Sequence, residues 1–264
     1  NVYFNYGRGR RPEVLELEND TGSIGVNPDE FITLPAETVD SYEGGFKARM
    51  LDGALSLDAS GYYYSYTNFQ SSIVTGEGEF QTINAGSADA IGAEAALVVE
   101  PTEWVRLFAT YSYNHSRFDD VDENGFAQEY AGNQFRLRPD HSASVGATLY
   151  GETSYGTFSL TPSYVYRSKV FFDDNNDLRV NPRNGEVLQS LDFFQDEVQD
   201  GFGLLTARLR FDAEGGRWGA EVFVTNLLDK EYIIDAGNTG DGFGIPTFIA
   251  GAPRMFGGYL TVRY

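Results

Sequence analysis

Apolar and polar residues alternate with a period of two along most of this chain, the spacing of strands whose two faces meet different media. At the C-terminal end, Phe256, Gly258, Leu260, Val262 and Tyr264 share one face, and Met255, Gly257, Tyr259, Thr261 and Arg263 share the other. Near the start, Val2, Phe4 and Tyr6 oppose Tyr3, Asn5 and Gly7. From 38 to 50, Tyr42, Gly44, Phe46, Ala48 and Met50 oppose Ser41, Glu43, Gly45, Lys47 and Arg49. Leu55, Leu57 and Ala59 oppose Ser56, Asp58 and Ser60 before the aromatic run Tyr62, Tyr63, Tyr64 and Tyr66. The pattern recurs at 91–100, 105–114, 142–149, 158–167, 205–212 and 220–224.

Ten strands are therefore expected, joined alternately by short turns and by loops of about 12 to 30 residues. Leu51-Asp52-Gly53 and Pro101-Thr102-Glu103 are two of the turns, Asp-Gly being a strong hairpin signal. Short turns at one end, long loops at the other, and apolar-out, polar-in faces describe an all-β, antiparallel transmembrane β-barrel wall. The polar faces carry Glu43, Lys47, Glu94, Arg106, Arg208 and Arg210. A wet or plugged lumen tolerates such charges, whereas the core of a soluble sandwich does not. Tyr62 to Tyr66, Tyr111, Tyr113, Tyr164 and Tyr166 are expected to form an interfacial aromatic girdle on the long-loop side. The loop from 67 to 88 is apolar enough in its middle to extend a hairpin above the membrane.

Composition narrows the picture. No run of about 18 apolar residues exists, so a helical span is excluded. There is no Cys, which removes disulfides and thiolate metal sites. No leader is expected within the chain, because Asn1 already begins an alternating strand. The net charge of −20 is concentrated: segments 9–37, 67–88, 119–130, 171–200 and 230–252 hold 25 of the 39 acidic residues and 5 of the 19 basic ones. One end of the molecule is thus acidic and the wall is balanced, a distribution that repels nucleic acid.

Candidate chemistry sits in those acidic loops. Asp120, Asp122 and Asn124, followed by Gly125, fit the opening of a calcium loop, in which alternate oxygens converge on the ion. The bidentate Glu of such loops is replaced by Ala131, with Glu129 close by, and a solvated acidic loop is the competing reading. Asp173, Asn175 and Asp177 form a second run without the Gly. His115 and His141, the two histidines, suit interface roles better than haem capture. His115 with Asp119 and Asp120 is the sole arrangement a surface hydrolase could use. No serine elbow or phosphate loop is present, and no enzyme is expected. Asn226 and Asp229 are expected to tie the backbone where a strand meets its loop.

Several stretches carry a resemblance. Asn226-Leu227-Leu228-Asp229-Lys230-Glu231-Tyr232, then Pro253-Arg254 and Phe256-Gly257, then the terminal Tyr264, resemble the C-terminal signature of TonB-dependent outer-membrane receptors. Glu37 to Lys47 resembles that family's mid-barrel strand, and Gly92-Ala93-Glu94 and Tyr6-Gly7-Arg8-Gly9 match its habits. The resemblance implies a 22-stranded barrel with a plug domain and a TonB-contacting box. Ten strands would then be the C-terminal portion of the barrel (residues 1–264), with the plug and N-terminal strands outside the chain. It further implies active uptake of a scarce nutrient of the siderophore, vitamin or oligosaccharide class; no cofactor is expected to be required, and calcium at the loop above is the one ion the motif admits. The implied setting is the outer membrane of a Gram-negative bacterium, amid lipid and lipopolysaccharide, with TonB acting through the plug. The long loops would be extracellular, the C-terminus periplasmic, and Phe256 and Tyr264 would serve barrel closure and assembly. Acidic loops count against an anionic ferric siderophore as the sole ligand determined here. A self-contained ten-stranded barrel, acting as pore or surface hydrolase, is the alternative.

Overall fold

The computed structural model describes residues 1–17, 31–74, 80–122, 124–188, 196–236, 245 and 247–263. In chain order the strands are β1 (Val2–Arg11), β2 (Val14–Leu17), β3 (Phe31–Leu34), β4 (Glu37–Met50), β5 (Leu55–Thr67), β6 (Gln70–Val74), β7 (Phe80–Asn84), β8 (Ala88–Thr102) and β9 (Val105–Phe118). They continue with β10 (His141–Thr153), β11 (Gly156–Arg167), β12 (Val170–Phe171), β13 (Val198–Gln199), β14 (Phe202–Ala213), β15 (Trp218–Thr225), β16 (Ile233–Ala236), β17 (Phe248–Ala250) and β18 (Met255–Val262). Ten of these form one antiparallel sheet in the order β1-β4-β5-β8-β9-β10-β11-β14-β15-β18. The other eight pair within the long loops as β2-β3, β6-β7, β12-β13 and β16-β17. The β6-β7 hairpin is the extension expected from the 67–88 stretch.

Register follows from the alternation, because a slip of one residue would turn every side chain to the wrong face. Phe4 pairs with Gly44, Gly44 with Gly61 and Gly61 with Ala93, all on the outer face. Tyr3, Gly45, Ser60, Glu94, Ser112, Ser142 and Arg167 form the matching line on the inner face. The outer face leaves Phe4, Phe256 and Leu260 more than 70% exposed. So much contiguous apolar surface calls for a hydrocarbon surround. The sheet is open: β1 and β18 are its edges, each paired along one side among the described residues.

The turns show how the sequence reverses direction. Leu51, Asp52 and Gly53 all take positive φ (53°, 54° and 98°), a conformation in which Gly is unstrained. At the next turn β8 runs further than its pattern suggests. Pro101 and Thr102 stay in the strand past a bulge after Val99, and the reversal falls on Glu103-Trp104, with Thr102 paired to Val105. Pro101 is tolerated because the bulge relieves it of a ladder hydrogen bond.

Among the described residues the hydrophobic core cluster lies at the long-loop end, where the ends of β8 and β9 meet the loops. Ala85, Ala88, Phe118, Tyr130 and Phe135 are buried together, flanked by Tyr66, Phe69, Ile83 and Leu188. Phe69 meets Phe118 edge-on at 5.3 Å and Phe135 at 4.8 Å. A wall whose faces serve lipid and lumen has no third surface to bury, so its loops supply the compact core. Phe118→Ala should therefore loosen the loop cap by about 3–5 kcal/mol. The expected readout is faster hydrogen exchange across 119–140 and 171–188 with the ten wall strands still protected; unchanged exchange in those loops would reject this assignment of the core.

Candidate functional site

Side-chain parity decides which aromatics face the lumen. On β5, Tyr62, Tyr64 and Tyr66 share parity with Ser56, Asp58 and Ser60, and they line the inner face; of the run assigned to the girdle, Tyr63 alone faces outward. Tyr62 and Tyr64 stack at 4.8 Å with planes 19° apart. Asn114 donates to the Tyr62 hydroxyl at 2.8 Å, and Ser116 donates to Asn114 at 2.8 Å. Tyr66 continues the ladder upward to Phe135 of the loop cap, 5.8 Å away.

Two motif glycines make this arrangement fit. A Cβ at Gly92 would lie 2.4 Å from the Tyr62 ring, and one at Gly45 would lie 2.7 Å from the Tyr3 hydroxyl. Gly92 therefore lets Tyr62 lie flat across β8, and Gly45 lets Tyr3 cross β4 to donate to Glu43 at 2.6 Å. A depression of about 190 Å³ is lined by Glu43, Tyr62, Tyr64, Glu94, Asn114 and Arg138. A second, of about 540 Å³, lies alongside it and includes Tyr3, Glu94 and Arg167.

Several charges on this inner face are paired within the chain: Lys47 with Asp58 at 3.9 Å, Arg106 with Glu100 at 3.5 Å, Arg208 with Glu221 at 3.1 Å and, at the long-loop end, Arg11 with Glu37 at 3.9 Å. Toward the loops, Glu94 has no cationic partner among the described residues, and Arg138 and Arg167 have no carboxylate partner there. Stacked phenols thus lie beside charges of both signs that have no ion-pair partner among the described residues.

The carboxylates of the acidic loops have partners within the chain. Asp120 is ion-paired with Arg183 of the 171–200 loop. Asp122 accepts the backbone N–H groups of Phe126 (2.8 Å) and Asn124 (2.9 Å), bonds that hold its carboxyl below the usual range. Asn124 is exposed, Gly125 turns at φ 84°, and Glu123 lies outside the described residues. Among the described residues no group of three or more His, Asp or Glu is placed to hold a metal.

The second acidic run is a clamp between loops. Asp174, buried, accepts from Ser71 Oγ at 2.5 Å and from the Arg136 backbone at 3.0 Å. Asn176 exchanges two 2.6 Å bonds with the backbone of Gln134. Asp173 and Asn175 cap their own turn, at the N–H groups of Asn175 and Asp177. Burial, then the charge of Asp174, raises the Asp173 carboxyl above its ordinary range; burial, then Glu186 and Asp173, raises Glu129.

The remaining expectations are placed as follows. His141 sits in the outer aromatic belt, its Nδ1 2.8 Å from the Tyr111 hydroxyl, with Tyr113 5.2 Å away; His115 stacks on Tyr113. Neither histidine reaches the inner face. Asn226 is buried and ties Lys230 and Ala252, while Asp229 holds Arg254 at 3.2 Å, so the two halves of the C-terminal signature bind each other. Phe256 lies on the outer face of β18 and Tyr264 lies outside the described residues.

Two predictions follow from the loops. Chelation with EGTA should leave the melting temperature unchanged, since the Asp122 turn is closed by its own backbone; a fall would show that the loop holds calcium. Asp173 and Glu129 have folded pKa values above their unfolded ones, so the folded cap binds protons more readily and gains stability as pH falls through those values. Protection factors at 129–134 and 172–177, corrected for the intrinsic pH dependence of amide exchange, should rise from pH 7.5 toward pH 5, and a fall in protection at the lower pH would contradict this.

The comparisons agree with the geometry. Residues 1–227 match the family model described as TonB dependent receptor-like, beta-barrel. The ferric yersiniabactin uptake receptor FyuA from Yersinia pestis superposes with a TM-score of 0.73 at 19% identity, over 99% of this chain and 34% of that one. The siderophore receptor PiuA from Acinetobacter baumannii gives 0.63 at 18%, over 98% and 34%. The ferric-catecholate import receptor Fiu from E. coli K12 gives 0.61 at 17%, over 98% and 32%. The chain spans about a third of the length of these receptors. The chain belongs to the TonB-dependent receptor-like β-barrel family.

Proposed function

We propose that this chain is part of the barrel wall of a TonB-dependent outer-membrane receptor that takes up a scarce, bulky nutrient. The observation that carries the proposal is the two-faced wall: an apolar outer surface, and an inner one on which Tyr62, Tyr64, Glu43, Glu94, Arg138 and Arg167 line adjoining depressions. The open sheet and the one-third coverage support a larger barrel, with further strands beyond β1 and β18 and a plug in the lumen. The long loops face the cell exterior and the short turns the periplasm. On this reading the loop cap and the tyrosine ladder meet the ligand together, because Phe135 joins them. TonB supplies energy through the plug. No chemical step is assigned, and the charged inner residues bind rather than react.

Among the neighbours, FyuA, PiuA and Fiu are receptors for iron-carrying ligands by their descriptions, and that class heads the range of ligands to try. Mixed charge on the inner face favours a ligand with both hydrogen-bonding and aromatic surface.

The test is uptake by cells carrying or lacking the full-length receptor, using a panel of labelled iron chelates, cobalamin and oligosaccharides. One panel member should enter only when both receptor and TonB are present. Tyr62→Ala with Tyr64→Ala should raise the half-saturating concentration roughly 10- to 100-fold at unchanged receptor level. Uptake of every member independent of the receptor would remove the transport reading. An unchanged half-saturation in the double variant would remove the tyrosine ladder from the site.

A further inference from the structure

The β12-β13 hairpin continues the register of β11 and β14: Arg167 pairs with Phe202, Val170 with Gln199 and Phe171 with Val198. The same register sets Lys169 opposite Asp200, and parity puts Lys169, Phe171, Val198 and Asp200 on one face of the hairpin. All four line a cavity of about 460 Å³ in the loop cap, completed by segments 131–133 and 176–183. It shares no lining residue with the inner-face depressions beside Tyr62 and Arg167. Its volume is that of a small-molecule site.

Facing side chains of opposite charge ordinarily pair across a ladder, but these two do not. Lys169 folds over the Phe171 ring, its Nζ 4.4 Å from the centroid, and has no carboxylate partner among the described residues. The ring face holds the ammonium without neutralising it. Asp200 is exposed and has no cationic partner there either. The other charges on the lining are committed, Arg183 to Asp120 and Asp177 to the Glu197 N–H at 3.3 Å. Asn133, 5% exposed, donates its amide to the Asp174 carbonyl at 2.9 Å, and no described group donates to its Oδ1. A buried acceptor left open is costly until a donor reaches it. Leu178 and Pro182 add apolar wall beside Phe171 and Val198.

We propose that this cavity binds a short apolar peptide with both termini free. Its carboxylate meets Lys169, its ammonium meets Asp200, and a peptide N–H donates to Asn133 Oδ1. Its side chains lie against Phe171, Leu178 and Val198. Two extended residues span roughly 7 Å, enough to bridge facing positions of a hairpin whose strands are about 5 Å apart. This binding does not depend on uptake through the lumen, and it would fasten the hairpin to segments 131–133 and 176–183.

The test is titration calorimetry on the purified full-length receptor in detergent, with leucyl-leucine, its C-terminal amide and its N-acetyl derivative as probes. Leucyl-leucine should bind the parent about tenfold tighter than either derivative, because each derivative lacks one terminal charge. Lys169→Gln should erase the preference over the amide and keep that over the N-acetyl form, and Asp200→Asn should do the converse. Neither replacement breaks an ion pair among the described residues, so a change in preference reads the site and not the fold. Leucyl-leucine should also slow hydrogen exchange at 131–133 and 176–183. The proposal is overturned by an absence of heat from leucyl-leucine at millimolar concentration, by equal affinity for the three probes, or by preferences that both variants leave unaltered. Protection confined to other segments would overturn the placement in this cavity.

Discussion

Backbone N–H and C=O groups that cross hydrocarbon find no water to bond, so each wall strand must complete its hydrogen bonds with its neighbours. That requirement produces the rest of the architecture. It makes the chain a meander in which every wall strand pairs with the next wall strand in order, and it forces the connections into turns or loops outside the membrane. It also gives β1 and β18 their meaning. Each has one ladder among the described residues, so a membrane setting requires partners on their free sides.

Given that ladder, parity alone assigns side chains to lipid or lumen. Outward positions hold Phe4, Tyr42, Phe46 and Leu260, and inward ones hold Glu43, Lys47, Glu94 and Arg208. Aromatic residues serve both faces for different reasons. Outside, Tyr6 and Tyr63 bury their rings at the boundary and point their hydroxyls to Asp40 and Asp89. Inside, Tyr62 and Tyr64 stack over one another, with Gly92 leaving room beneath Tyr62. A side chain at Gly92 would lift that ring off the sheet and disturb the surface offered to a ligand.

The loops are more ordered than their acidity suggests. Like charges within 119–130 and 171–200 repel, yet the loops are locked by Asp174, Asn176 and Arg183 acting across the gap, over a core of Phe69, Phe118 and Phe135. Carboxylates that accept backbone N–H groups cost less to bury than free ones. Asp122 and Asp174 both accept such bonds. A cap braced so firmly, and joined to the tyrosine ladder through Phe135, is suited to present a preformed surface.

By itself the sequence determined the ten strands, their two faces, the alternation of short turns with long loops, and the family through Asn226–Tyr232 and Pro253-Arg254. These are legible because period-two alternation and turn chemistry are local. Parity also contained the inward direction of Tyr62, Tyr64 and Tyr66, since they continue the face of Ser56, Asp58 and Ser60, but the density of aromatics there resembles a girdle more than a site. The partners of each loop residue were decided by the tertiary structure alone. Asp120 meets Arg183 across 63 positions and Ser71 meets Asp174 across 103, and no spacing rule reaches so far. Whether an acidic run binds a cation or clamps a neighbouring loop depends on which donors the fold brings to its oxygens, and that is a property of packing.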